Sequence, residues 1–270
     1  MAFTVGLEAL ISADGATTDF GYLLNTSTKP YSASVTLAGE ALDGTGFAST
    51  APIAMENLAG LREWSGTFAG KYPKAAPASG HEGFVTVAGG YVLGCHSWTI
   101  TASATEHDHS GFSSTPPTWK DFASGLYSFS GNYIARASDA TALGGIVQGA
   151  AVFRASKETT NDNEIAGNIL VTGRSSPFEV NGTPVIQYDF VGNGNMTFDG
   201  DSALFDVASA GTPDPLVRPQ TETITLRIDD GASRSLSGDA FLTGWTIGAS
   251  LGSPVEVSGS FRGTGALTDA

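Results

Sequence analysis

The chain holds a single cysteine, Cys95, in 270 residues. One thiol excludes a disulfide framework within the chain and a cysteine-based zinc site. Charge is scarce at 15%, and positive charge scarcer still: 13 Lys and Arg stand against 27 Asp and Glu, a net charge of −14. A protein that grips phosphates needs basic patches, and none is found. The same shortage disfavours anionic membrane surfaces. Acidity of this size favours solubility, or a surface that DNA slides past. No window approaches 18 uncharged apolar residues, so no membrane-spanning helix is expected. The stretch Met1–Leu10 has no basic n-region and carries Glu8 among its apolar residues. It does not read as a signal peptide, and the expectation is a soluble product of a cytoplasm.

Glycine is abundant, with 35 residues. That is nearly twice the usual share of about 7%. Hydrophobic residues make up 41%, enough for a sizeable core. The composition excludes long helical bundles and coiled coils and predicts many turns. Period-2 alternation marks strands at 31–37, 97–101, 169–172, 185–190 and 223–228. Each run is β-branched or aromatic and bounded by Gly, Asn, Asp or Pro. Two short helices are expected, Ile53–Leu61 after Pro52 and Thr118–Leu126 after Pro117. Each has a Ser-Thr run before it and a glycine, Gly60 or Gly125, near its end. Strands with one short helix per half predict a β-sandwich or barrel.

The strongest pattern is internal repetition. Residues 43–66 match residues 108–131 at a shift of 65 without a gap. Ten of those positions are identical: Asp43, Gly46, Phe47, Ser49, Thr50, Pro52, Gly60, Leu61, Ser65 and Gly66. Composition alone would give about one or two. A second repeat has a shift of 71. It relates Ala166–Gly173 to Ser237–Gly244, and Phe190–Thr197 to Phe261–Thr268. The order is a, a, b, b, whereas a tandem duplication would read a, b, a, b. Nesting explains this: residues 81–200 form an uninterrupted unit inserted into a twin made of 1–80 and 201–270. Insertion is tolerated where chain ends lie close together at a surface. The connectors are expected at 71–80 and 199–220, the latter carrying Pro213, Pro215 and Pro219.

Three ordered elements occur twice. The first is Gly60-Leu61…Ser65-Gly66 and Gly125-Leu126…Ser130-Gly131, with Trp64 and Phe129 at matching places. The second is Ala166-Gly167…Thr172-Gly173 and Ser237-Gly238…Thr243-Gly244. The third is Phe190…Gly192…Gly194…Thr197 and Phe261…Gly263…Gly265…Thr268. This set resembles the major tail tube proteins of long-tailed bacteriophages, over most of the chain and in two copies. The resemblance implies an all-β fold with short helices, made of two tail-tube-like β-sandwich or barrel domains, one inserted in the other. It implies a virion structural protein that polymerises into stacked rings around a conduit for DNA ejection, assembled in the host cytoplasm. It implies no enzyme activity and no cofactor. The implied partners are further copies of the chain and the tape-measure, terminator and tail-tip proteins. DNA would pass the lumen without specific binding. The family pattern has one barrel and this chain has two, so a homotrimer giving a pseudo-hexameric ring is expected.

Other features offer chemistry. Gly248-Ala-Ser250-Leu-Gly252 fits Gly-x-Ser-x-Gly, but a hydrolase elbow needs a helix after the serine, and Ser-Pro-Val-Glu-Val follows. A glycine-rich hairpin turn is expected. Glu106-His107-Asp108-His109, with Cys95 and His96 upstream, could supply metal ligands. Their counterparts in the first copy are Ala41, Leu42, Asp43 and Gly44, so a solvated loop is expected and no metal. Trp64 and Phe129 are expected in the core, closing each barrel beneath its helix. Phe47 and Phe112 would anchor the preceding loop, and Asp162-Asn163-Glu164 would be a hairpin tip. Gly60, Gly125, Gly192 and Gly263 are assigned to backbone geometry at element ends. The alternative function is a carbohydrate-binding or tail-tip adhesion β-sandwich module, with Trp98, Trp119 or Trp245 exposed for sugar stacking.

Overall fold

A computed structural model describes residues 10–13, 32–43, 57–72, 84–92, 94–111, 119–136, 147–154, 164–180, 183–199, 222–227 and 235–269. The described residues contain no helix. The five alternating runs lie in strands, apart from Tyr31 and Ile228, which fall outside the described residues. The two expected helices are corrected: residues 57–61 and 122–126 open long strands. A strand partner outweighs the local start and stop signals there, as tertiary pairing commonly does. Residues 53–56 and 118, Phe47, Phe112, Asp162 and Asn163, and most of both expected connectors lie outside the described residues.

Among the described residues, thirteen strands form one hydrogen-bonded antiparallel network. Six are β1 (Leu10–Ala13), β2 (Ser32–Asp43), β3 (Asn57–Tyr72), β11 (Glu222–Arg227), β12 (Ser235–Ser250) and β13 (Val255–Asp269). They are ordered β2-β3-β13-β12-β11-β1. Six more are β4 (Phe84–Val87), β6 (Cys95–Asp108), β7 (Phe122–Arg136), β8 (Gln148–Arg154), β9 (Glu164–Val180) and β10 (Thr183–Asp199). These are ordered β6-β7-β10-β9-β8-β4, with the two-residue β5 (Gly90–Tyr91) at the far edge.

The registers correspond as well as the order. Val35 pairs with Gly66 and Ile100 with Gly131. Gly66 pairs with Phe261 and Gly131 with Phe190. Leu242 pairs with Phe261 and Val171 with Phe190. Every one of these pairs is related by the sequence shifts of 65 and 71. The bulges correspond too, one between Gly39 and Ala41 and its counterpart between Ala104 and Glu106. A bulge adds a residue and bends the strand, so this matching pair bends β2 and β6 at the same place.

Alternation drives the folding of each strand. In β12, Trp245, Ile247 and Ala249 point into the core while the residues between them do not. The second set curls until β6 meets β8: the Trp98 indole nitrogen donates to the Arg154 carbonyl at 3.3 Å. The Trp98 and Phe153 rings lie 5.7 Å apart, and Phe153 stacks on Phe190 at 5.1 Å.

Candidate functional site: the edge-to-edge joint

The two strand sets meet through β12 and β6. Seven residue pairs make the joint, from Gly244 opposite Ser103 to Ser250 opposite Ser97. It continues with the Leu251 amide donating to the His96 carbonyl at 2.8 Å. On the inner face Trp245 opposes Ala102, Ile247 opposes Ile100 and Ala249 opposes Trp98, and all six are buried. Large against small side chains let this seam pack as densely as a core. On the outer face the Thr101 and Thr246 hydroxyls are 3.1 Å apart, in hydrogen-bond contact. An open groove runs along that face, lined in part by Ser97, Thr99, Ser250 and Glu256.

A second contact reinforces the joint. The segment Trp119–Asp121 lies against β3 and β13. The Lys120 amide donates to the Arg62 carbonyl at 2.8 Å, and the Gly265 amide donates to the Lys120 carbonyl at 3.0 Å. The Lys120 ammonium sits 2.5 Å from the Glu40 carboxylate and 3.2 Å from that of Glu63. Arg262 bonds Glu63 at 2.9 Å and reaches Glu106 at 3.6 Å. Its guanidinium also lies over the Phe122 ring, 4.0 Å from the centroid. Glu40 and then Glu63 hold the Lys120 pKa above its ordinary value. Asp108 lies below the usual carboxylate range, chiefly because Ser110 hydrogen-bonds to it, with Lys120 and Arg262 adding to the effect. The chemistry here is cohesion: charges of both signs alternate across the two sets.

The repeated motif residues converge on the paired strands. Trp64 covers Gly263, and Phe129 covers Gly192. Reciprocally, Phe261 covers Gly66 and Phe190 covers Gly131. Gly192 and Gly263 therefore lie inside strands, not at element ends. Their lack of a side chain makes room for an aromatic ring; their φ angles are not positive. Gly60 and Gly125 also lie inside strands, against Glu40 and against Thr105 with His107. Gly194 and Gly265 do need glycine's backbone freedom, with φ of 91° and 73°. Trp64 and Phe129 are buried as expected, but within the sheets and with no described helix above them. Ser65 and Ser130 sit on corresponding pairs, opposite Arg262 and Val191. Leu61 is half-buried, whereas its counterpart Leu126 is 85% exposed.

The remaining candidates do not assemble into a reaction centre. Ser250 and Gly252 form the β12–β13 hairpin turn, with the Ser253 amide donating to the Ser250 carbonyl. Glu106 is engaged by Arg262, and the Asp108 carboxylate accepts from the Ser110 amide at 2.8 Å. Burial pushes the Cys95 thiol up to about 12, so it stays protonated at neutral pH. Trp98 and Trp245 are buried and offer no face to a sugar. Trp119 is half-buried with Arg62 over its ring. Sequence reasoning missed the Lys120–Glu63–Arg262–Glu106 cluster, because none of its members belongs to a repeat identity. It also missed Leu37, which is apolar in an alternating run and yet 57% exposed. No family model matches the chain, and no curated protein matches it in sequence.

Proposed function

We propose that the chain is a virion structural protein, a major tail tube subunit of the long-tailed bacteriophage type. It polymerises into stacked rings that form a conduit for DNA ejection. The observation that carries this reading is the edge-to-edge joint between two strand sets of one order and one register. Like units that join side by side within a chain can join in the same way between chains. Such heterologous contacts close into a ring when the rotation closes.

In this reading residues 1–80 with 201–270 make an outer barrel, and 81–200 make the barrel inserted in it. Three chains supply six barrels and a pseudo-hexameric ring. The partners are further copies, the tape-measure, terminator and tail-tip proteins, and DNA that passes without specific contacts. The charge of −14 suits a lumen that repels phosphate. Catalysis and cofactors have no place in it.

The test is negative-stain electron microscopy of the purified protein with the mass per ring. Hollow tubes or rings with three chains per layer are expected. A persistent monomer, whose antibody also fails to label purified virion tails, would overturn the reading.

A further inference from the structure

Among the described residues, no strand pairs with the outer edge of β2, or with the edge of β9 that faces away from β10 beyond Val171. These two edges are the sequence counterparts of the two that meet in the joint. Moving the β6 side back by 65 residues lands on β2, and moving the β12 side back by 71 lands on β9. The geometry points to an intermolecular joint in which β2 of one chain pairs antiparallel with β9 of a second copy. Its register sets Gly173 opposite Ala38, Arg174 opposite Leu37, Ser175 opposite Thr36 and Ser176 opposite Val35. Beyond Ser176 a bulge against β10, at 176–177, ends the equivalence. The inference deepens the ring reading and rests on it for its occupant, a second copy of this chain.

Three observations support that occupant. First, Leu37 is 57% exposed on the open edge, while its counterpart Ala102, inside the existing joint, is 1% exposed. Val35 is half-exposed where Ile100 is fully buried. Second, the hydroxyl pair is retained: Thr101 and Thr246 bond across the joint, and Thr36 and Ser175, both exposed, stand at the corresponding places. Third, exposed apolar residues recur on the inserted set where the outer set is covered. Val191 is 40% exposed at the position of Arg262, which Phe122 and Glu106 engage. The β2 edge also carries no lysine or proline over its twelve residues, the usual devices that block pairing.

Cysteine cross-linking tests the register. The Leu251–His96 bond makes 245/102 and 247/100 the hydrogen-bonded pairs, so 246/101 is a non-hydrogen-bonded pair. At such pairs the Cα atoms approach to about 4.5 Å, within disulfide range. In a Cys95→Ser background, Thr36→Cys with Ser175→Cys is expected to oxidise into covalent species of two or more chains. Thr101→Cys with Thr246→Cys closes within one chain and shows that the chemistry works. Thr36→Cys with Arg174→Cys places the thiols on opposite faces and stays monomeric. Leu37→Arg, with an unchanged circular dichroism spectrum, is expected to abolish assembly. If rings are seen while the 36/175 pair stays unlinked, the strand assignment is wrong and the ring reading stands. If linked chains form but never rings, the pairing holds and the ring reading falls. If neither appears, both fall.

Discussion

The indole of Trp64 occupies the space that a side chain at residue 263 would need, and its nitrogen donates to the Gly265 carbonyl at 3.2 Å. Phe129 stands over Gly192 in the same way. The repeat thus preserves a fit between a ring on one strand and bare backbone on the next. Phe261 completes it, edge-on to Trp64 at 6.1 Å.

Gly263→Ala is expected to destabilise by about 1–3 kcal/mol, since a methyl in a filled core forces side chains off their rotamers. The cause is steric, so Trp64→Leu in the same chain should recover part of the loss. Urea denaturation of the two single variants and the double variant measures this. Strictly additive losses would refute the contact.

Ile100→Ala removes a side chain buried at the joint and is expected to cost about 2–5 kcal/mol. Val35→Ala, its counterpart on the open edge, is expected to cost the isolated monomer less. Equal losses in chemical denaturation would show that the open edge is already packed.

Native Cys95 is expected to react slowly with a thiol reagent at pH 8 and rapidly once urea is added. Its folded pKa of about 12 lies above the unfolded value. A group raised in this way contributes stability that is fully present below the unfolded value, about 8.5. That stability is lost as pH rises through about 12. Cys95→Ser should flatten the alkaline limb of the stability curve.

Asp108 runs in the opposite direction. Its folded pKa is lowered, so its contribution is present above the ordinary 3.8 and is lost as pH falls below that value. Asp108→Asn is expected to lower stability at pH 7 while reducing the slope of the acid limb. Thermal melts between pH 2 and 7 read both effects. Lys120→Met should loosen the contact between the two sets, visible as faster amide exchange at Gly265, whose N–H bonds the Lys120 carbonyl.

Much of the sheet is legible in the residues. Alternation at 97–101 and 185–190 marks strands because one face is buried. The offsets of 65 and 71, read from identities, reappear as pairing offsets between strands. The helices misled because Pro52 and Pro117, with the serines and threonines before them, carry a helix-start signature. Local chemistry does not reveal that β2 and β6 lie beside these segments and need partners. Glycine misled in a related way. Gly192 and Gly263 read as element ends, but they, like Gly66 and Gly131, are seats for aromatic rings, and the identity of the ring shows only when strands are placed side by side. The joint is less legible still. Nothing in Ser97–Ser103 or Gly244–Ser250 distinguishes a seam between sets from an ordinary hairpin.

The order of the strands along the chain has a consequence for synthesis. Trp64 and Gly265 are 201 residues apart, so β3 emerges from the ribosome long before the strand it packs against. At about 5–20 residues per second, that delay is about 10–40 s. The strands β4 to β10 have all been made by Asp199, before β11 to β13. Until β13 is made, β3 has β2 on one side and an open edge on the other. β6 is made before β12, which pairs with it later. β13 therefore links β3 to β12, and a variant lacking β13 should leave β3 with β2 alone beside it.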